Sequence, residues 1–158
     1  MDLMLELELV GRLILAAFLG FVIGLERELA GQPAGERTHA LASLGAATFA
    51  VISFKAFPGG DTARVAAGVV TGLGFLGAGM ILKEQGPEIH GLTTAAGIWA
   101  VGAIGLAIGA GMYLLGIAST ILVALILASE RALRLNERFA RWRVKTKAKD
   151  SLRTKPPD

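Results

Sequence analysis

The sequence predicts an all-α integral membrane protein, a compact bundle of about five transmembrane helices with the N-terminus outside and the C-terminus in the cytoplasm. Three observations carry this expectation. The chain has 158 residues, of which 53% are hydrophobic and 18% charged, where a soluble domain carries about 25% charged residues. Between His90 and Glu130 lie 39 residues without a charge. As a single helix they would extend ~58 Å, against a bilayer core of ~30 Å, so the stretch has to break and cross twice. Finally, ten of the 16 Lys and Arg residues follow Ser129, and basic residues accumulate on the cytoplasmic side of membrane proteins.

The elements follow in order. The first apolar segment runs from about Leu5 to Leu25. It opens with the acidic MDLMLELELV rather than the basic stretch of a cleavable signal peptide, so it is expected to remain as a helix. The second runs from about Thr38, a suitable N-cap, to Phe57, and stops at the turn signal Pro58-Gly59-Gly60. The third covers Ala63 to Leu82, the fourth about Leu92 to Ile108 and the fifth about Met112 to Ala128, with Gly109-Ala110-Gly111 as the turn between the last two. Spans exposed to lipid satisfy their backbone groups internally, which calls for helices. Five crossings put the termini on opposite sides. The loops with Arg27, Arg37 and Lys83 then face the cytoplasm, and Lys55 and Arg64 fall outside.

Residues 1–128 thus form a transmembrane domain and 129–158 a basic cytoplasmic tail. In the tail Leu135, Phe139 and Trp142 recur at helical spacing among Arg134, Arg138, Arg141 and Arg143. This pattern suits an amphipathic helix on the anionic inner leaflet, and equally the positive anchor that sets topology. Beyond Lys145 the composition is that of a disordered segment.

Most of the 21 glycines lie inside the spans. Small residues let membrane helices approach closely, so Ala16, Gly20 and Gly24 in the first helix, Gly68, Gly72, Gly74, Gly77 and Gly79 in the third, and Gly97, Gly102, Gly105 and Gly109 in the fourth predict tight packing of these three helices, with the fifth nearer the lipid. The stretch Gly72–Gly79 suits either a close crossing or a locally unwound helix lining an ion path. The glycine faces would also suit a homodimer.

The charges need partners. Arg12 stands roughly 8 Å inside the outer boundary. Glu8, one turn earlier, pairs with it at i,i+4 if it snorkels, and otherwise Arg12 faces the bundle. GLERELAGQPAGERTHAL, residues 24–41, gathers Glu26, Arg27, Glu28, Arg37, Thr38 and His39 around a loop. Acids at a helix end and bases at a helix start oppose the helix dipoles. Pairing of Glu26 or Glu28 with Arg37 would offset this and produce a polar cluster at the inner end of the bundle, either a structural network or a binding or gating site.

The absence of cysteine excludes disulfides and thiolate chemistry. Basic charge beside a span, without a recognisable motif, argues against a nucleic-acid partner. His39 and His90 lack a neighbouring ligand or base pattern and are expected at the membrane interface. Neither an enzyme nor a resident cofactor is expected.

Four blocks, GFVIGLERE (Gly20 to Glu28), AGERTHALASLGAATF (Ala34 to Phe49), RVAAGVVTGLGFLGAGMILK (Arg64 to Lys83) and GLTTAAGIWAVGAIGLAIGAGMY (Gly91 to Tyr113), resemble the MgtC/SapB family of bacterial inner-membrane proteins. The resemblance covers roughly residues 10–125. It implies motif positions at Glu26, Arg27, Glu28 and Arg37, at Gly72, Gly74, Gly77 and Gly79, and at Gly91, Thr93, Thr94 and Trp99. Glu36 stands where the family often carries Leu, and His39 where Asn is common; Thr93 and Ala100 replace an Asn and a Cys found in a well-known member. Longer members carry a soluble C-terminal domain, so the chain resembles the short branch. The family implies a role in virulence, stress adaptation and growth at low magnesium, through regulation of another membrane complex such as the F-type ATP synthase; many relatives are instead labelled magnesium transporters. As a cation carrier the chain would offer Mg²⁺, which prefers carboxylates and retained waters, only Glu26, Glu28 and Glu36 near the inner face, beside Arg27 and Arg37. No acid lies mid-membrane in the second to fifth helices, so a carrier would rely on carbonyls near Gly72–Gly79 and on Thr71, Thr93 and Thr94. The regulator is the favoured expectation and the carrier the alternative.

Overall fold

The computed structural model describes residues 2–57, 59–83 and 89–129. The chain divides into two units, Met1–Ala124 and Leu125–Asp158. In the second, the described residues are the last turns of a helix, where Ser129 Oγ donates to Ile126 O at 2.6 Å. The amphipathic and disordered tail segments expected past Glu130 lie outside the described residues, as does Pro58.

Helix α1 spans Leu3–Leu29. Asp2 caps it, its carboxylate accepting from Met4 N at 3.3 Å and satisfying an amide that a helix start leaves without an intrahelical partner. At the other end Gly31 takes φ 70°, Gln32 N donates to Arg27 O at 3.0 Å and Gly31 N to Glu28 O at 2.9 Å. This is the Schellman arrangement, which needs a left-handed residue just past the helix. The helix therefore continues through Glu26, Arg27 and Glu28.

Helix α2 spans Glu36–Ala56. Its N-cap is Gly35, without a side-chain cap bond, and not the expected Thr38, which sits exposed in the first turn. Contact with α1 decides this. A Cβ on Gly24 would stand 2.5 Å from Glu36 Cα and 2.7 Å from Gly35 O, so the two backbones touch where α2 begins.

Helix α3, Thr62–Met80, is capped by Asp61, which accepts from Ala63 N at 3.1 Å. Strands β1 (Leu82–Lys83) and β2 (Ile89–His90) form a short antiparallel ladder with Leu82 opposite His90. Gly91 then turns the chain into α4 (Leu92–Gly109) with φ 89°. A Cβ there would collide with Met80 O, so both the left-handed backbone and the close approach demand glycine. A second Schellman turn ends α4: Gly111 has φ 84°, and Met112 N donates to Ala107 O at 2.8 Å. Helix α5 is Tyr113–Ser129. Helices α1 to α4 are long and apolar enough to cross a membrane, while α5, at 17 residues, stands at the lower edge of the ~17–25 needed.

Helix α2 lies between α1 and α4. A Cβ on Gly20 would stand 2.6 Å from His39 O, and one on Gly109 2.5 Å from Ala47 O; on Gly105 it would collide with Ser43 O. The α2 side of these contacts is Ser43, Ala46, Ala47 and Ala50, all buried. Close packing of α1, α3 and α4 was the expectation; the structure instead makes α2 the central helix, because alanine and serine admit close approach as glycine does. Helix α3 is the outlier. Its buried residues are Leu73 and Gly77. Leu73 fills the space left by Gly102, and Gly77 lies against Ala95. The stretch Gly72–Gly79 is α-helical throughout rather than unwound, and among the described residues nothing packs against Gly72, Gly74 and Gly79. On α5, Leu114, Leu115, Ile121 and Leu122 are exposed, in line with a position nearer the lipid.

Candidate functional site

The buried face of α1 is Ala16, Leu19, Gly20, Ile23, Gly24 and Arg27. A strict four-residue row would continue to Glu28, but each such step rotates about 40° around the helix. A three-residue step after Gly24 restores the face and turns Arg27 inward. Its side chain is fully buried, which demands ionic and hydrogen-bonded partners. Nε donates to Glu26 Oε2 at 2.6 Å. Glu28 points elsewhere, its carboxylate lying against Gly35, where a Cβ would collide with it.

The first turn of α2 closes over this pair. His39 is fully buried, and its Nδ1 donates to Gly35 O at 2.9 Å. A carbonyl can only accept, so in the neutral ring Nδ1 carries the proton and Nε2 is a bare acceptor. His39 Nε2 and Ser43 Oγ, on residues one turn apart, are buried without a hydrogen-bond partner among the described residues. Glu26 and Arg27 both act electrostatically on His39. Helix α4 completes the cluster with Thr94, fully buried, whose Oγ1 donates to Gln32 Oε1 at 3.2 Å and ties the α1–α2 loop to α4.

Of the residues expected to act together, the structure gathers Glu26, Arg27, His39 and Thr94. It separates Arg37, whose side chain is 92% exposed and whose ion pair, at 3.6 Å, is with its neighbour Glu36. The expected pairing of Glu26 or Glu28 with Arg37 is thus replaced by Glu26–Arg27, because the extra turn of α1 puts a nearer cation inside. Thr38 and Thr93 are exposed, and Trp99 presents its ring on the outer side of α4. Gly91 serves the turn into α4. Gln32, Ser43 and Gly97 belong to the cluster and were not singled out for it; the i,i+4 spacing of His39 and Ser43 was the available signal for one of them.

At the opposite end, Arg12 does both things expected of it. Nη2 pairs with Glu8 Oε1, and Nη1 donates to Gly109 O at 3.0 Å, an acceptor at the C-terminus of α4. The guanidinium stands 5.7 Å from the centroid of the Tyr113 ring, a cation–π distance. Arg12 thus joins α1, the end of α4 and the start of α5.

Helices of membrane-spanning length around a buried polar cluster define a multi-pass membrane protein. The MgtC family profile matches residues 13–135, and the chain belongs to that family. It is 48% identical over 128 residues to YhiD of Escherichia coli strain K12, described as a candidate magnesium transporter, covering 76% of this chain and 59% of YhiD. To SrpB of Synechococcus elongatus it is 39% identical over 162 residues, covering 89% of this chain and 88% of SrpB. To MgtC of Salmonella typhimurium it is 42% identical over 127 residues, covering 79% of this chain and 54% of MgtC. The chain thus spans little more than half the length of YhiD and MgtC and most of SrpB. No solved structure matches it.

Proposed function

We propose that the protein is a regulatory membrane protein linked to magnesium limitation, acting in the bacterial inner membrane through lateral contact with another membrane complex. One observation carries this reading. Helix α3 is long enough to span the membrane yet has Leu73 and Gly77 as its buried residues. Gly68, Gly72, Gly74 and Gly79 open onto unfilled space. Each glycine costs a helix about 1 kcal/mol relative to alanine, and nothing among the described residues packs against these positions to compensate. Between α2 and α3 lies an apolar groove of about 580 Å³, lined by Leu41, Gly45, Phe49, Val65, Gly68 and Gly72 among others. Open glycines beside an apolar groove are what a further transmembrane helix needs for close approach. The complex that the family resemblance brings forward is the F-type ATP synthase, and stress adaptation and virulence are the roles that go with it.

The test is a photo-crosslinking residue at Phe75, 81% exposed on α3, in native membranes. The expected result is a discrete adduct with another membrane protein, lost in Gly72→Leu. Adducts with lipid alone would sink the proposal.

A second reading, a Mg²⁺ carrier, is favoured by the description of YhiD and by the polar cluster among α1, α2 and α4. Mg²⁺ flux in proteoliposomes, abolished by Glu26→Gln, would establish it; no flux at either sign of membrane potential leaves the regulator.

A further inference from the structure

We infer that His39 and Gly97 enclose a binding site for a single water molecule between α2 and α4. His39 is fully buried, and the bond from Nδ1 to Gly35 O leaves Nε2 with its lone pair directed into the bundle. That atom has no hydrogen-bond partner among the described residues. A buried acceptor in this state is costly unless something donates to it.

Helix α4 leaves room for the donor. Gly97 is buried, yet a Cβ added to it would meet His39 Nε2 at 3.4 Å and no other described neighbour within 4 Å, apart from its own helix. The other buried glycines of α4 are unlike it: Gly102 is filled by Leu73, and Gly105 and Gly109 press on the α2 backbone. Gly97 therefore faces a small space bounded by an imidazole nitrogen.

Chemistry selects the occupant. The lone pair of Nε2 repels an anion. Glu26 and Arg27 act on His39 with opposite signs and are paired with each other, so their charges offset and neither draws an ion to this nitrogen. A small neutral donor remains, and a buried polar space with an unsatisfied acceptor is where ordered water is found. The water completes the hydrogen bonding of His39 and carries the polar cluster across to α4. The site does not depend on the proposed regulatory function.

Solid-state NMR of the whole protein in bilayers tests this, with ¹⁵N-histidine labelling. The chain has two histidines, and His90→Gln assigns the signals. The expected result is a non-protonated His39 Nε2 with the shift of a hydrogen-bonded acceptor and magnetisation transfer from water protons. In Gly97→Ser the hydroxyl should replace the water, so the transfer is lost while the acceptor shift persists. A His39 Nε2 without water contact in the unsubstituted protein overturns the site, as does a proton found on Nε2 rather than Nδ1. Water transfer undiminished in a folded Gly97→Ser protein overturns the placement at Gly97.

Discussion

Helices α3 and α4 are both glycine-rich and both long enough to span a membrane, yet they stand at opposite extremes of packing. Half of the apolar window of α4 is buried, against 11% in α3. In α4, Gly102, Gly105 and Gly109 each meet a neighbouring helix at distances that no Cβ tolerates. In α3, Gly68, Gly72, Gly74 and Gly79 meet none of the described residues. The difference teaches that glycine in a membrane helix marks where close approach is allowed and not where it occurs. Whether the approach is made inside the chain depends on what the neighbouring helix presents, and α2 presents its alanines and Ser43 to α4.

Substitution sharpens this contrast. The largest effect is expected at Gly105→Val, whose side chain would strike the α2 backbone at Ser43. The expected loss is about 3 kcal/mol, the upper end of ordinary overpacking, read as reversible unfolding in mixed micelles. A loss as small at Gly105 as at Gly74 would erase the distinction between the two helices.

Arg12→Gln comes next. It removes the charged donor to Gly109 O and the partner of Glu8. About 2 kcal/mol is expected, within the range for hydrogen bonds to charged groups, with earlier opening of the α4–α5 turn in hydrogen exchange. If unfolding is unchanged, the end of α4 is held by its glycine contacts alone.

Gly74→Ala should act in the opposite direction. With open space at its Cβ position, alanine is expected to stabilise α3 by about 1 kcal/mol. If α3 docks a partner helix, the same change should weaken crosslinking from Phe75 while the isolated protein becomes more stable. Destabilisation would show that α3 is packed more closely than its open face indicates.

The smallest effect is expected at Arg37→Gln. Its side chain is largely exposed, and substitutions at such positions stay within about 0.5 kcal/mol. Arg27→Gln, at the buried counterpart, should be far more damaging in the same unfolding measurement. Equal effects would contradict the inward placement of Arg27.

Much of the architecture was legible in the residues. The segments expected at Leu5–Leu25 and Leu92–Ile108 differ from α1 and α4 by a few residues at their ends, and the turn at Gly109-Ala110-Gly111 is present. The cluster was legible in part. Glu26, Arg27 and His39 stood out as polar residues in an apolar chain, but Arg37 and Thr38 stood out equally and lie outside the buried network. Sequence spacing does not tell which of two nearby arginines faces the bundle when the helix end is misplaced by a turn. The Schellman turn at Gly31 extends α1 to Leu29 and rotates Arg27 inward. Ser43 and Gln32 were passed over because a lone serine or glutamine carries no signal until its surroundings are known.

A bundle of membrane helices follows from the residues alone, since hydropathy, length and the obligation to satisfy backbone groups in lipid are local properties. The turn expected at Gly109-Ala110-Gly111 was legible in the same way, and Gly111 is left-handed there. Tertiary structure decided which helix lies at the centre, which glycines are filled and which arginine is buried. These depend on the rotation of one helix against another, and a rotation of one residue's worth, about 100°, exchanges the buried side of a helix for its exposed side.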